Sequence, residues 1–128
     1  MKKLLAMTAL AVTATFGSTP SEATDIQSLR EFCRGYTITK LMETRDPKLY
    51  ACGYFVDGVL KSAMITSPEY EKCMVGSGAS TSQVIAIFMK RTANSPEEWN
   101  YEAAEEILYQ TEDVFGCKGT ALRYRGKE

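Results

Sequence analysis

Apolar positions recur at spacings of three and four along most of this chain, and the clearest run is Asp46 to Met64. Asp46 offers a carboxylate to cap free backbone N–H groups, and Pro47 is pre-set for the first helical position. Leu49, Cys52, Val56, Val59, Leu60 and Ala63 then fall on one helical face. Tyr50, Phe55 and Met64 broaden that face until only Lys48, Asp57 and Lys61 clearly require water. The pattern predicts a central helix to about Ile65, covered on more than one side. Gly53 and Gly58 each lower helix propensity by about 1 kcal/mol relative to alanine. A close approach by a neighbouring helix is the expected compensation.

The flanking segments predict further helices. Thr24 with Gln27 forms a possible capping box ahead of Ile26, Leu29, Phe32 and Cys33. Gly35 stops or bends this helix; Tyr36 to Glu43 reads either as an extended turn, from its β-branched residues, or as a continuation carrying Ile38, Leu41 and Met42, and a kinked continuation is preferred. Ser67-Pro68-Glu69 predicts a single turn to Lys72, and Cys73 then opens a glycine-bearing loop through Ser80. Ser80 to Gln83 is a second capping box, followed by Val84, Ile85, Ile87, Phe88 and Met89. Ser95-Pro96-Glu97-Glu98 reads as the start of the last helix, whose stripe is Trp99, Ala103, Ala104, Ile107, Leu108, Thr111, Val114 and Phe115. No strand-like alternation flanked by hairpin turns interrupts the series. The expectation is an all-α domain, a compact bundle of four main helices with short extra turns.

Residues 1–23 read as a secretory signal peptide, with Lys2-Lys3 ahead of a mostly apolar run of 13 residues and a cut after Ala23. The run is too short for a bilayer span, and Thr24 is not the cysteine of a lipoprotein. Residues 24–117 form the expected domain, and 118–128 a mobile basic tail. Without Lys2, Lys3 and Glu22, 13 basic and 15 acidic residues remain, a net charge of −2. That balance suggests neither nucleic acid nor stable membrane insertion.

Four cysteines, Cys33, Cys52, Cys73 and Cys117, make two disulfides the natural reading in an exported chain, with three connectivities open. An antiparallel hairpin of the last two helices would bring Cys73 beside Cys117, leaving Cys33 with Cys52. That pairing is preferred.

Candidate chemistry is sparse. The chain contains no histidine, which removes Ser-His-Asp and Cys-His machinery and histidine metal ligands. No cysteine pair has C-x-x-C spacing, so neither a metal nor a cofactor is expected. The acids sit at helix starts or on polar faces, and Gly76-Ser77-Gly78 lacks the strand a phosphate cradle needs. Trp99 is either an interface anchor or a packing residue in the first turn of the last helix. Asp57 is either a buried polar contact or the wet edge of its helix. The loop containing Met74, Val75, Gly76, Ser77 and Gly78 reads either as a binding loop or as a plain connector. These residues favour a binding protein over an enzyme.

One ordered set of motifs spans most of the chain: Cys33, then Cys52-Gly53-Tyr54-Phe55-Val56-Asp57-Gly58, Cys73, Gln83, Pro96-Glu97, Ala103-Ala104 and Phe115-Gly116-Cys117. This set resembles periplasmic immunity proteins of the Rap/Tai kind, which neutralise peptidoglycan amidases delivered by type VI secretion. It departs from them in Met74 to Ala79, where the family often has an early proline, and in Gly116, where the family's closing motif has proline. The resemblance implies a periplasmic, often dimeric, helical inhibitor that occludes a secreted amidase effector and catalyses nothing. On it, Met74 to Gly78 would insert into the effector, with Trp99 and Tyr101 as flanks. A second expectation, from a different class, is an exported acid-stress holdase of similar size and disulfide content.

Overall fold

The computed structural model describes residues 24–118. Six helices follow one another: α1 (Ile26–Cys33), α2 (Ile38–Thr44), α3 (Pro47–Thr66), α4 (Pro68–Ser77), α5 (Thr81–Thr92) and α6 (Ala103–Phe115). A short 3-10 turn, Pro96–Glu98, separates the last two. The fold is all-α, and its only β feature among the described residues is an isolated antiparallel bridge between Asp25 and Glu102. The leader over residues 1–23 and the tail beyond Lys118 lie outside the described residues.

α3 is the central element and touches α1, α4, α5 and α6. Its start is as expected: Asp46 Oδ1 accepts the Lys48 N–H at 2.9 Å, and Pro47 opens the helix. Leu49, Cys52, Val56, Leu60 and Ala63 are buried. They meet Ile26 and Leu29 of α1, Val84, Ile85 and Phe88 of α5, and Ile107 and Leu108 of α6 in one core. The glycines behave differently from the expectation. No neighbouring helix presses on either: a Cβ at Gly53 would meet the side chain of Tyr36, and one at Gly58 would meet nothing within 4 Å. Nothing in the structure explains Gly58.

Both disulfides pair as preferred. Cys33–Cys52 joins α1 to α3 across a Cα separation of 5.0 Å, and Cys73–Cys117 joins α4 to the end of α6 across 5.5 Å. With sequence separations of 19 and 44, the chain-entropy model assigns them about 3 and 4 kcal/mol.

Four boundaries differ from the sequence reading, each for a local reason. Asp25, not Thr24, caps α1, its Oδ1 accepting the Ser28 N–H at 2.8 Å. Thr24 instead gives its carbonyl to the N–H of Ala103, 2.9 Å away. α1 ends at Cys33 and does not continue through Gly35, which sits at φ +75°. Thr37 then caps a separate helix, accepting the Lys40 N–H at 2.9 Å.

α4 is a ten-residue helix, not a single turn, so Cys73 to Ser77 are helical and only residues 78–80 connect it to α5. Tyr70 and Met74, one turn apart, are buried and hold it down. Gly76 is tolerated inside α4, and the stop is Gly78, left-handed at φ +72°.

The last helix begins at Ala103 rather than at Ser95, whose side chain caps nothing. The carbonyls of Trp99 and Tyr101 instead accept the N–H groups of Gln27 and Ile26, each at 2.9 Å. Those are first-turn donors of α1 that no intrahelical acceptor can reach. A helix running through 99–101 would turn these carbonyls to its own N–H groups and leave the donors unpaired in a packed site.

A polar thread crosses the core. Thr111 Oγ1 donates to the Leu108 carbonyl at 2.9 Å. The hydroxyl of buried Tyr70 therefore donates to Thr111 Oγ1, 2.8 Å away. Burial pushes the Tyr70 phenol pKa above its ordinary value.

Candidate interaction surface

The stretch singled out as a binding loop is divided by its helical structure. Met74 is buried at 4% exposure and faces the core, whereas Val75 on the same helix is exposed. Gly76 and Ser77 complete α4, with Ser77 Oγ bonded back to the Met74 carbonyl at 2.8 Å. The tip is reduced to Gly78, Ala79 and Ser80 ahead of the capping box, in which Ser80 and Gln83 exchange backbone and side-chain bonds.

Trp99 and Tyr101 do not flank that tip. Trp99 Nε1 donates to the carbonyl of Thr92, at the far end of α5, at 2.8 Å. α5 is 12 residues long, so the tip and Trp99 stand about 18 Å apart along its axis. Nor does Trp99 sit in the first turn of a helix. It is half-buried beneath Arg30, whose guanidinium carbon lies 4.8 Å from the ring centroid. Arg30 Nη1 donates to the Met89 carbonyl at 2.9 Å and to Thr92 Oγ1 at 2.6 Å. A cation over the last carbonyls of α5 is favourable there. Burial, and secondarily the charge of Arg34, draws the Arg30 pKa below its usual value. The assembly ties α1 to the end of α5, a structural role for Trp99. Tyr101 contributes its backbone to the α1 junction.

Beside this junction lies a polar dimple of about 180 Å³ lined by Thr92, Ser95, Glu98, Trp99, Glu106 and Tyr109 among others. Arg91 at its edge is already paired with Asp113 at 2.9 Å. Among the described residues, no group of three or more His, Cys, Asp or Glu side chains is placed to hold a metal ion.

The distinctive surface lies elsewhere, between α2 and α3. α2 carries no buried residue. Its Ile38 and Met42, one turn apart, are 53% and 68% exposed, and Tyr54 on α3 is 73% exposed. Between the helices runs a groove of about 220 Å³ walled by Tyr36, Leu41, Leu49, Tyr50 and Tyr54, with Gly53 also lining it. The rings of Tyr50 and Tyr54 stand 6.1 Å apart, tilted by 34°. Asp57 and Thr81 line it as well. Asp57 is both wet edge and polar contact: it accepts Thr81 Oγ1 at 3.2 Å and pairs with Lys61 at 3.2 Å.

α2 closes on Arg45, the one non-glycine residue at positive φ among the described residues, at +52°. A left-handed non-glycine residue costs about 1 kcal/mol or more and persists where its surroundings enforce it. Here the Arg45 N–H returns to the Leu41 carbonyl at 3.0 Å. This short bend sets α2 beside α3 with its apolar side chains outward.

The sequence pattern does not mark this face: Ile38, Leu41 and Met42 fit a continued first helix, and Tyr50 fits the buried face of α3. One signal was available: α3 is apolar around most of its circumference, more than a small bundle can cover. Among the described residues no helix is long and apolar enough to cross a membrane, and the two disulfides fit an oxidising compartment. No protein-family model, curated protein or solved structure matches the chain.

Proposed function

We propose that this is a non-enzymatic periplasmic binding protein that binds and blocks a peptidoglycan-amidase effector of a type VI secretion system, as the Rap/Tai-like motif set implies. The observation that carries the reading is the exposed face of Ile38, Met42 and Tyr54 around the tyrosine-walled groove, on a scaffold closed by two disulfides. Rigid aromatic and aliphatic side chains held out from a stapled scaffold supply contact area at low entropic cost. Tyrosine is also enriched where interfaces concentrate their energy. The contact surface in this proposal is the α2–α3 face; of residues 74–78, Met74 is inside the core while Val75 to Gly78 stay exposed. Residues 1–23 serve as the export signal, and no cofactor takes part. The resemblance extends the proposal to a homodimer, which the mass of the free protein in solution tests.

The test is co-purification of the oxidised protein with each peptidoglycan amidase encoded in the same genome. A stable complex with one of them is the expected result. Failure to bind any of them overturns the reading. Suppression of client aggregation confined to pH 2–3 would point instead to the holdase.

A further inference from the structure

We propose that the α2–α3 groove receives an arginine side chain of the protein partner, its guanidinium stacked on Tyr50 and Tyr54 and paired with Asp57. The inference rests on the binding reading above for the partner and adds the chemistry of the group that enters. The groove holds about 220 Å³, below the roughly 300–1,000 Å³ of sites that enclose a small-molecule ligand or cofactor. It suits one side chain presented by a larger body.

The lining sets the sign of that side chain. Asp57 is the one charged residue that walls the groove, and no basic residue does. Tyr50, Tyr54 and Asp57 follow at i, i+4 and i+7 on α3, which places them on one face of the helix. The two ring centroids are 6.1 Å apart. A cation above the pair can therefore lie within about 6 Å of both, the range of a cation–π contact. The carboxylate is the next step along the same face.

Other occupants fit this lining less well. An aliphatic side chain would take the Asp57 carboxylate out of water and bring it no donor, which is costly. An acidic one would set two negative charges together. A basic side chain lays its methylene stem along Leu41 and the rings and carries donors to the carboxylate. Guanidinium suits the site better than ammonium, because it is planar, stacks on aromatic faces and can give two N–H groups to one carboxylate. Asp57 has capacity for them. Its Oδ1 accepts Thr81 Oγ1 and its Oδ2 pairs with Lys61 Nζ, each at 3.2 Å, so about two of four lone-pair positions stay open. The Lys61 side chain is 66% exposed, and an ion pair so exposed contributes little and is readily exchanged. Lys61 is the resident cation that the arginine displaces.

The experiment measures affinity for the amidase that co-purifies, using Asp57→Asn, Lys61→Ala and Tyr54→Ala, with Ile65→Ser at the other end of α3 as the control. Asparagine keeps an acceptor for Thr81 and loses the charge. Asp57→Asn and Tyr54→Ala are each expected to weaken binding at least tenfold. Lys61→Ala is expected to tighten it about twofold to fivefold, since it removes the competing cation. Ile65→Ser should change nothing, and melts at the wild-type temperature show that the variants fold. An Asp57→Asn complex as tight as wild type overturns the inference in favour of an aliphatic occupant and leaves the binding reading standing. Tighter binding by Asp57→Asn with weaker binding by Lys61→Ala overturns it in favour of an acidic one. Self-association of the free protein that Tyr54→Ala abolishes and Asp57→Asn does not would give the groove to a second copy. A second readout needs no amidase: N-acetylarginine amide, titrated into the free protein, is expected to shift the NMR signals of Tyr54, Asp57 and Thr81. The uncharged N-acetylcitrulline amide is expected to leave them in place. Equal responses to the two, or none to either, overturn the cation site. If no amidase binds and the arginine response holds, the amidase reading falls and the site for a basic side chain stands.

Discussion

The phenol of Tyr36 lies against Gly53 so closely that a Cβ added to the glycine would sit 3.3 Å from the tyrosine oxygen. Tyr36 belongs to the turn between α1 and α2, and Gly53 to the middle of α3. Beside the Cys33–Cys52 disulfide, this contact seats the α1–α2 turn on α3. Gly53→Ala sets about 1 kcal/mol of helix propensity against a displaced Tyr36 ring. The expected outcome is a urea midpoint close to wild type together with weakened partner binding, as the ring moves in the groove it lines.

Gly58→Ala is the contrasting case. The position is open and inside α3, so propensity acts unopposed. A gain of about 0.5–1 kcal/mol is expected, read as a higher urea midpoint at an unchanged slope, with no effect on binding.

Trp99→Phe keeps an aromatic ring but removes the donor to the Thr92 carbonyl and weakens the stacking under Arg30. A stability loss of about 1–2 kcal/mol is expected from the hydrogen bond and cation–π contact together. Partner affinity should stay within twofold, since this residue holds α1 to α5 at a distance from the groove.

Tyr70 ties stability to alkaline pH. Its pKa in the folded protein lies above the ordinary 10.0, so below that pH both states hold the proton and the contribution is constant. Above it the unfolded chain ionises first, and stability falls as pH rises toward the folded value. Tyr70→Phe should cost about 1 kcal/mol at neutral pH and should lessen the alkaline loss measured by urea titration at pH 9 and 11.

Replacing Cys73 and Cys117 by alanine is expected to cost about 4 kcal/mol, and replacing Cys33 and Cys52 about 3 kcal/mol. For a domain of this size the two together approach the whole stability. Circular dichroism of the four-alanine variant should show loss of the cooperative transition.

Local patterns were enough for α3, because Asp46-Pro47 and the apolar spacing agree on its start and its face. They were enough for the cystines too, since the α5–α6 hairpin brings Cys73 and Cys117 to one end. Other features were hidden for physical reasons. Gly76 and Gly78 look alike as breakers, and only burial of Tyr70 and Met74 decides that α4 runs past the first. Ser95-Pro96-Glu97-Glu98 has every local mark of a long helix, but the donors of α1 draw the carbonyls of Trp99 and Tyr101 away from it. That demand comes from residues more than 70 positions earlier and leaves no trace in the local pattern. The exposed face escaped because an all-round apolar α3 reads as covered on all sides. Which side stays open depends on where α2 comes to rest.

The most direct test of the central claim is a titration of the cognate peptidoglycan amidase with the oxidised protein, following release of crosslink peptides. The account predicts that activity falls to zero near one equivalent of wild-type protein, and that Tyr54→Ala requires a large excess. Full amidase activity in the presence of excess wild-type protein would contradict it.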